Sequence, residues 1–210
     1  VIINTNFKRY SVRLNLDNDL FNGKATLTNS WNFARTTSSN VPTDRGGPGG
    51  IIITALGLDP TVPVYDADGN YNYPLYDGRF TINPVAEAKE GVDDDQTNRF
   101  FFITVLKISI TKDLKFTTSL GLDILNATRN TFYNSMTRLG RQNGRELQRF
   151  DRNLVNVLNE NIFTYNKSLG GGHELEVMAG YTWQEESNSS AFQSVRGLDS
   201  DDFESLNFQN

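Results

Sequence analysis

Residues 9–33 read RYSVRLNLDNDLFNGKATLTNSWNF, and this stretch decides the fold. Tyr10, Val12, Leu14 and Leu16 alternate with Arg9, Ser11, Arg13, Asn15 and Asp17. After a polar interruption that includes Asn22 and Gly23, Ala25, Leu27, Trp31 and Phe33 alternate with Thr26, Thr28, Ser30 and Asn32. A period of two sends alternate side chains to opposite faces of an extended chain. The stretch therefore reads as a β-hairpin with one apolar face and one wet face. Its turn chemistry agrees, because Asn, Asp and Gly tolerate the backbone angles of a tight reversal.

The pattern recurs along the chain. Leu114, Phe116, Leu120, Leu122 and Ile124 oppose Lys115, Thr117, Ser119, Gly121 and Asp123. Leu175, Val177, Ala179, Tyr181 and Trp183 oppose a face that is apolar only at Met178. Residues 98–110 are strand-like but apolar on both faces near Phe100 and Val105. In residues 152–166, Leu154, Leu158 and Ile162 compete with Val155, Val157 and Phe163 for the apolar face. The expectation is six strands, near residues 9–17, 25–35, 98–110, 114–125, 152–166 and 174–185.

Short turns at residues 18–24, 111–113 and 168–173 alternate with long connections at residues 36–97, 127–151 and 186–210. Such alternation belongs to outer-membrane barrels, with short periplasmic turns and long external loops. Aromatic placement points the same way. Tyr10, Trp31, Phe33, Phe100, Phe102, Tyr181 and Trp183 lie at long-loop ends, as an interfacial girdle requires, while Phe116 and Tyr165 fall near the short turns. Single-chain bacterial barrels start at about eight strands. Six strands would leave unpaired edges in lipid, so the chain reads as an internal slice of a larger barrel.

Composition removes other classes. Across 210 residues, 20 Lys and Arg stand against 25 Asp and Glu, with no Cys and one His. The acidic balance argues against nucleic acid as a partner. Lack of Cys excludes disulfides and thiol chemistry, and a single His173 excludes a His-rich metal site. No apolar run reaches the length of a transmembrane helix, and residues 1–20 lack signal-peptide blocks.

Several ordered motifs resemble one family. Residues 55–71 read ALGLDPTVPVYDADGNY, followed by NPVA at 83–86, TNRF at 97–100 and LKFTTSLG at 114–121. The pair NIFTYNK at 161–167 and ELEVMAGYTWQ at 174–184 completes the set, together with the hairpin at 9–27. These segments resemble the SusC/RagA family of TonB-dependent outer-membrane transporters, across nearly the whole chain. The resemblance implies a 22-stranded barrel in the outer membrane of a Gram-negative bacterium, with no cofactor in the barrel and no enzymatic role. It implies import of oligosaccharides or peptides, driven by TonB acting through a region outside this chain. A SusD-like surface lipoprotein would cap the external loops, and lipid and lipopolysaccharide would surround the wall. No plug domain, TonB box or aromatic-ended final strand is recognisable in these residues, and residues 44–50 (DRGGPGG) depart from the family pattern without an assigned role.

The fold class expected is thus all-β: an antiparallel transmembrane β-barrel segment, about six strands of a larger barrel, with long extracellular loops. Arg13, Asn15, Thr26, Asn32, Thr117 and Asp123 would line a wet lumen or contact a plug. Tyr65, Tyr71, Tyr73 and Tyr76, in a proline-rich strip, are the candidate partner contacts, since rigid aromatics anchor partners at low entropic cost. The competing reading is a soluble all-β carbohydrate-binding module whose tyrosines stack on sugar. A small barrel enzyme is a third, but no Ser–His pair supports it. Asp66 to Asn70 has the carboxylate density of a calcium loop but the wrong register, so an Asp-Gly turn is expected. The acidic groups around Asp93 to Asp95 and Asp199 to Asp202 read as solvated loop faces. No catalytic or metal constellation emerges.

Overall fold

The computed structural model describes residues 2–41, 50–73, 75–76, 79–80 and 82–202. In chain order the elements are β1 (Asn6–Leu20), β2 (Ala25–Ser39), α1 (Ile51–Gly57), β3 (Leu75–Tyr76), β4 (Arg79–Phe80), α2 (Pro84–Glu90), β5 (Val92–Ser109), β6 (Leu114–Tyr133), α3 (Arg138–Asn143), β7 (Glu146–Gly170) and β8 (His173–Arg196). Six of these strands form one sheet in the order β1-β2-β5-β6-β7-β8. Every neighbouring pair is antiparallel. The sheet is not closed, and β1 and β8 are its edges. β3 and β4 form a separate two-stranded hairpin in the first long connection.

Pairing register assigns every side chain to a face. One row across the sheet joins Phe33, Phe100, Ile124 and Val155, and the next joins Leu14, Trp31, Phe102, Leu122 and Val157. Near the short turns, Phe116 pairs with Phe163, their ring centroids 4.6 Å apart. Trp31 and Phe102 make the matching contact toward the loops at 6.1 Å. Phe116 and Ile124 lie on the same face of β6. Eight residues of tilted strand correspond to about 20 Å along a membrane normal, close to the roughly 25 Å apolar band of an outer-membrane barrel.

No second layer covers this apolar face among the described residues. Tyr10, Val12, Leu14, Trp31, Phe33, Tyr181 and Trp183 are between 42% and 69% exposed. A soluble sandwich would bury such a face against another sheet. The pairing also settles the competition in β7. Val155, Val157 and Phe163 join the apolar face, whereas Leu154, Leu158 and Ile162 share the wet face with Asp123 and Asn156. Hydropathy alone left these facings open because β7 is apolar on both sides; the register with β6 removes the choice.

The strands also run further than the alternation implies. β2 continues to Ser39, β5 begins at Val92, β6 reaches Tyr133, β7 begins at Glu146 and β8 reaches Arg196. Residues 36–39, 92–97, 127–133, 146–151 and 186–196, read from sequence as loop, are therefore ladder. Beyond the apolar band both faces are mostly polar, so the period-two signal fades while main-chain hydrogen bonding persists. The connections shorten to residues 40–91 and 134–145, and the first carries helices that sequence periodicity did not reveal.

Candidate functional site

Two regions carry interaction chemistry: the wet face of the sheet, and a cap of loops at its outer end. On the wet face, side chains from adjacent strands pair directly. Ser30 Oγ donates to Asn15 Oδ1 at 2.7 Å, and Ser119 Oγ donates to Glu160 at 3.2 Å. Arg99 grips Asp123 through two hydrogen bonds of 2.8 and 2.5 Å, and Arg129 grips Asp93 through two of 2.6 and 2.5 Å. The planar guanidinium matches a carboxylate in this two-point geometry. Asp93 is only 6% exposed, so it is not part of the solvated face expected from sequence, whereas its neighbour Asp94 is exposed. Register brings Arg129 beside Asp93 across the β5–β6 pair, a relationship invisible at a separation of 36 residues.

The same wet face also carries apolar side chains on either side of the Arg99–Asp123 pair. Ile103 pairs with Gly121, which pairs with Leu158, and Leu125 pairs with Leu154 in an adjoining part of the face. The signal for them was the doubly apolar run near residues 100–105.

The cap is built on Asn83. Its Oδ1 accepts from Val85 N and Ala86 N, capping the first turn of α2, where Pro84 has no N–H to satisfy. Its amide nitrogen donates to Val64 O at 2.8 Å and Asn72 O at 2.9 Å. One buried side chain thereby starts the helix and ties the tyrosine strip to it. Beneath, Val41, Ile51 and Ala88 form a small apolar core joined by Ile2.

The sequence-derived tyrosines converge here. Tyr65 and Tyr71 stack with centroids 5.3 Å apart, on an isolated bridge between their backbones. Tyr71 donates to Glu90 at 2.7 Å, and Lys89 donates to the Tyr65 hydroxyl at 3.3 Å. Burial, reinforced by the Glu90 carboxylate, raises the Tyr71 hydroxyl above its ordinary pKa. Tyr73 donates to Met136 O, and the Arg141 guanidinium lies 3.9 Å from its ring centroid. Tyr76 lies in β3, and its side chain is outside the described residues, as are Asp44 through Gly49 of the glycine-rich segment. Of the four tyrosines, Tyr65 is 43% exposed, whereas Tyr71 and Tyr73 are half-buried and spend their hydroxyls within the cap.

Carboxylates complete the assembly. Glu87, 8% exposed, accepts from Arg138 N at the start of α3, where Thr137 also accepts from Gly140 N. Burial raises the Glu87 pKa, opposed by the Arg138 backbone bond. Glu146, 1% exposed, accepts from Asn143, Gln148, Ser194 and Arg196, joining α3, β7 and β8. Asp201 accepts from Arg145 at 2.7 Å and from Ser135 N at 2.7 Å, and these partners hold its carboxyl down at about 2. Asp66 Oδ1 accepts from Asp68 N and Asn70 N, with Gly69 at φ +83°, so this segment is a turn. Among the described residues, no three His, Asp or Glu side chains gather as a metal site would require.

No family model matches the chain. Among curated proteins it is 31% identical over 202 residues to TonB-dependent receptor P3 of Formosa agariphila, covering 94% of the chain and 20% of that protein. It is 29% identical over 141 residues to TonB-dependent receptor P39 of the same organism, covering 64% of the chain and 13% of the relative. The chain thus spans a fifth or less of these relatives' length. By fold it is similar to the RagAB peptide transporter, with a TM-score of 0.69 at 21% identity, covering 94% of the chain and 22% of that structure. The RagAB peptide importer in its closed-closed state gives a TM-score of 0.68.

The fold, with its two unlike faces and capped outer end, defines a segment of an outer-membrane β-barrel wall. More particularly, the chain matches a segment of a SusC/RagA-like TonB-dependent transporter, a family located in the outer membrane of Gram-negative bacteria.

Proposed function

We propose that this chain is part of the wall of a TonB-dependent importer of oligosaccharides or peptides, working with a SusD-like surface lipoprotein. The observation that carries the reading is the cap. The described parts of the connection over residues 40–91 pack around a small core of Val41, Ile51 and Ala88 and dock onto residues 134–145, forming an ordered outer surface where an unstructured loop would offer none. Among the described tyrosines of the strip Tyr65 is the exposed one, available to meet a lid. The RagAB structures, named for a peptide importer, support the partnership and make peptide a natural first substrate to test. The wet face lines the lumen, and its apolar island around Ile103 and Leu158 meets a plug supplied by residues beyond this chain.

Deleting residues 61–76 from the whole protein tests this. The barrel should still assemble and resist heat, but should lose the co-purifying lipoprotein or lose uptake. Failure of barrel assembly while surviving protein retains its lid would make the strip purely structural.

A further inference from the structure

Two phenylalanines stand on the wet face where the alternation calls for polar side chains. Phe150 on β7 and Phe192 on β8 are register partners, on the face that carries Asp123 and Asn156. They are 39% and 63% exposed. Phe150 stands five residues beyond Val155, where the apolar band of β7 ends. At about 3.4 Å per residue and a tilt near 45°, the pair sits roughly 12 Å above that band, outside the membrane core. A strand added to β8 lies beside this face and not over it, so closing a barrel leaves both rings facing inward.

One row nearer the membrane on the same face is Arg152, exposed and flanked by Ala127 and Ser190. Its Nε donates to Asn188 Oδ1 at 3.3 Å, which orients the guanidinium, and its terminal nitrogens have no partner among the described residues. One row further down, Leu154 pairs with Leu125. The cation thus stands between an aromatic pair above and an aliphatic pair below, with rows about 7 Å apart. The acids of this region leave it free. Asp93 and Asp123 are gripped by Arg129 and Arg99, and Asp151 faces the other way, held by Arg149 and Thr128. Asp95 lies two strands away beyond Arg129 and accepts from Asn40, while Glu186 is two rows below. An anion at Arg152 therefore meets a second guanidinium diagonally and no carboxylate in the adjoining rows.

We propose that Phe150, Phe192 and Arg152 form a subsite for the C-terminal residue of a peptide whose last side chain is apolar. The inference rests on the importer reading above, which turns this face toward the lumen, and it names that importer's substrate class. A terminal carboxylate accepts from the two free nitrogens of Arg152, the forked geometry guanidinium favours. The apolar side chain on the same α-carbon reaches one row up and covers the two rings, removing them from water. An acidic sugar would offer the carboxylate but surround it with hydroxyls, which phenylalanine and leucine cannot satisfy.

The test uses the full-length protein with its lid, purified in mild detergent, and N-terminally labelled hexapeptides: one ending in leucine with a free carboxylate, its C-terminal amide, and one ending in serine. The free leucine peptide should bind about tenfold more tightly than its amide. Arg152→Gln should weaken the free peptide about tenfold and abolish its advantage over the amide. Phe192→Ser should weaken the leucine peptide about fivefold and leave the serine peptide unchanged. Lys115→Gln, on the same face near the short turns, should change neither. Heat-resistant migration checks folding, and both test positions are exposed, so the variants should assemble. Equal affinity of acid and amide, or unchanged binding in the folded variants, overturns the proposal. So does Arg152-dependent binding of a uronic-acid oligosaccharide in place of the peptides. Uptake separates the two readings: peptide uptake that ignores the terminal carboxylate removes only this inference, whereas a protein that imports neither peptide nor oligosaccharide removes both.

Discussion

Arg141 lies over the ring of Tyr73, its guanidinium carbon 3.9 Å from the centroid, and so joins two connections that are 68 residues apart in sequence. The Tyr73 hydroxyl reinforces the junction by donating to Met136 O on the same partner connection. The cap is thus a composite of two loops, joined here by one aromatic side chain and elsewhere by the Glu87 carboxylate on Arg138 N.

Tyr73→Ala and Arg141→Ala should each loosen the cap while sparing the barrel. A double-mutant cycle should return a coupling of about 0.5–2 kcal/mol, the usual range for a cation over an aromatic ring. Hydrogen exchange in residues 61–73 reads the loosening. Protection unchanged in both variants would show that Asn83 and the Tyr71–Glu90 bond hold the strip without the Tyr73–Arg141 contact.

The two faces should respond differently to charge. Leu14→Arg or Leu122→Arg should cost roughly 2–4 kcal/mol in the full barrel near the bilayer midplane, whereas Asn15→Arg should be mild. Equal losses of assembled protein would refute the facing.

Orientation follows from the capped end. Epitope tags within residues 51–73 should be reachable on intact cells, and tags at Gly170, Gly171 or Gly172 should not. Those glycines form the turn between β7 and β8, all at positive φ, so an insertion there is best made by lengthening the turn without replacing them. Labelling at that turn in intact cells would invert the topology.

Acid should release the junction between Asp201 and residues 135–145. The Asp201 carboxyl is held at about 2 in the folded state, below its ordinary value of 3.8. A depressed acid contributes stability above its unfolded pKa and loses it as pH falls through the folded value. The contribution is therefore complete at neutral pH and declines between about pH 4 and 2. Because the Asp201 side chain is 38% exposed, solvent screening limits it to under about 1 kcal/mol. Asp201→Asn should remove that acid step from exchange at Ser135 N.

Glu87 has the opposite sign. Burial raises its pKa, so its protonated form is favoured in the folded cap and that advantage fades as pH rises through the folded value. Glu87→Gln should retain the acceptor for Arg138 N and leave cap protection the same or higher at pH 8. A marked loss of protection would show that the charge itself is required.

What the amino-acid sequence determined by itself is the strand-and-turn plan and the character of each face. Residues 9–33 carry both, because a period of two is a local property that survives without knowledge of partners. The tyrosine strip was legible as ordered for a similar reason: Pro60 and Pro63 restrict their own backbone. Tertiary structure decided what depends on distant pairing. It chose Val155 over Leu154 for the apolar face through the register with β6, extended strands where both faces are polar, and placed Arg129 on Asp93. It also turned Tyr71 and Tyr73 inward, since their hydroxyls found Glu90 and Met136. Hydropathy records which side chains avoid water, but a hydrogen bond or ion pair between remote residues leaves no period in the chain, so only the folded arrangement reveals it.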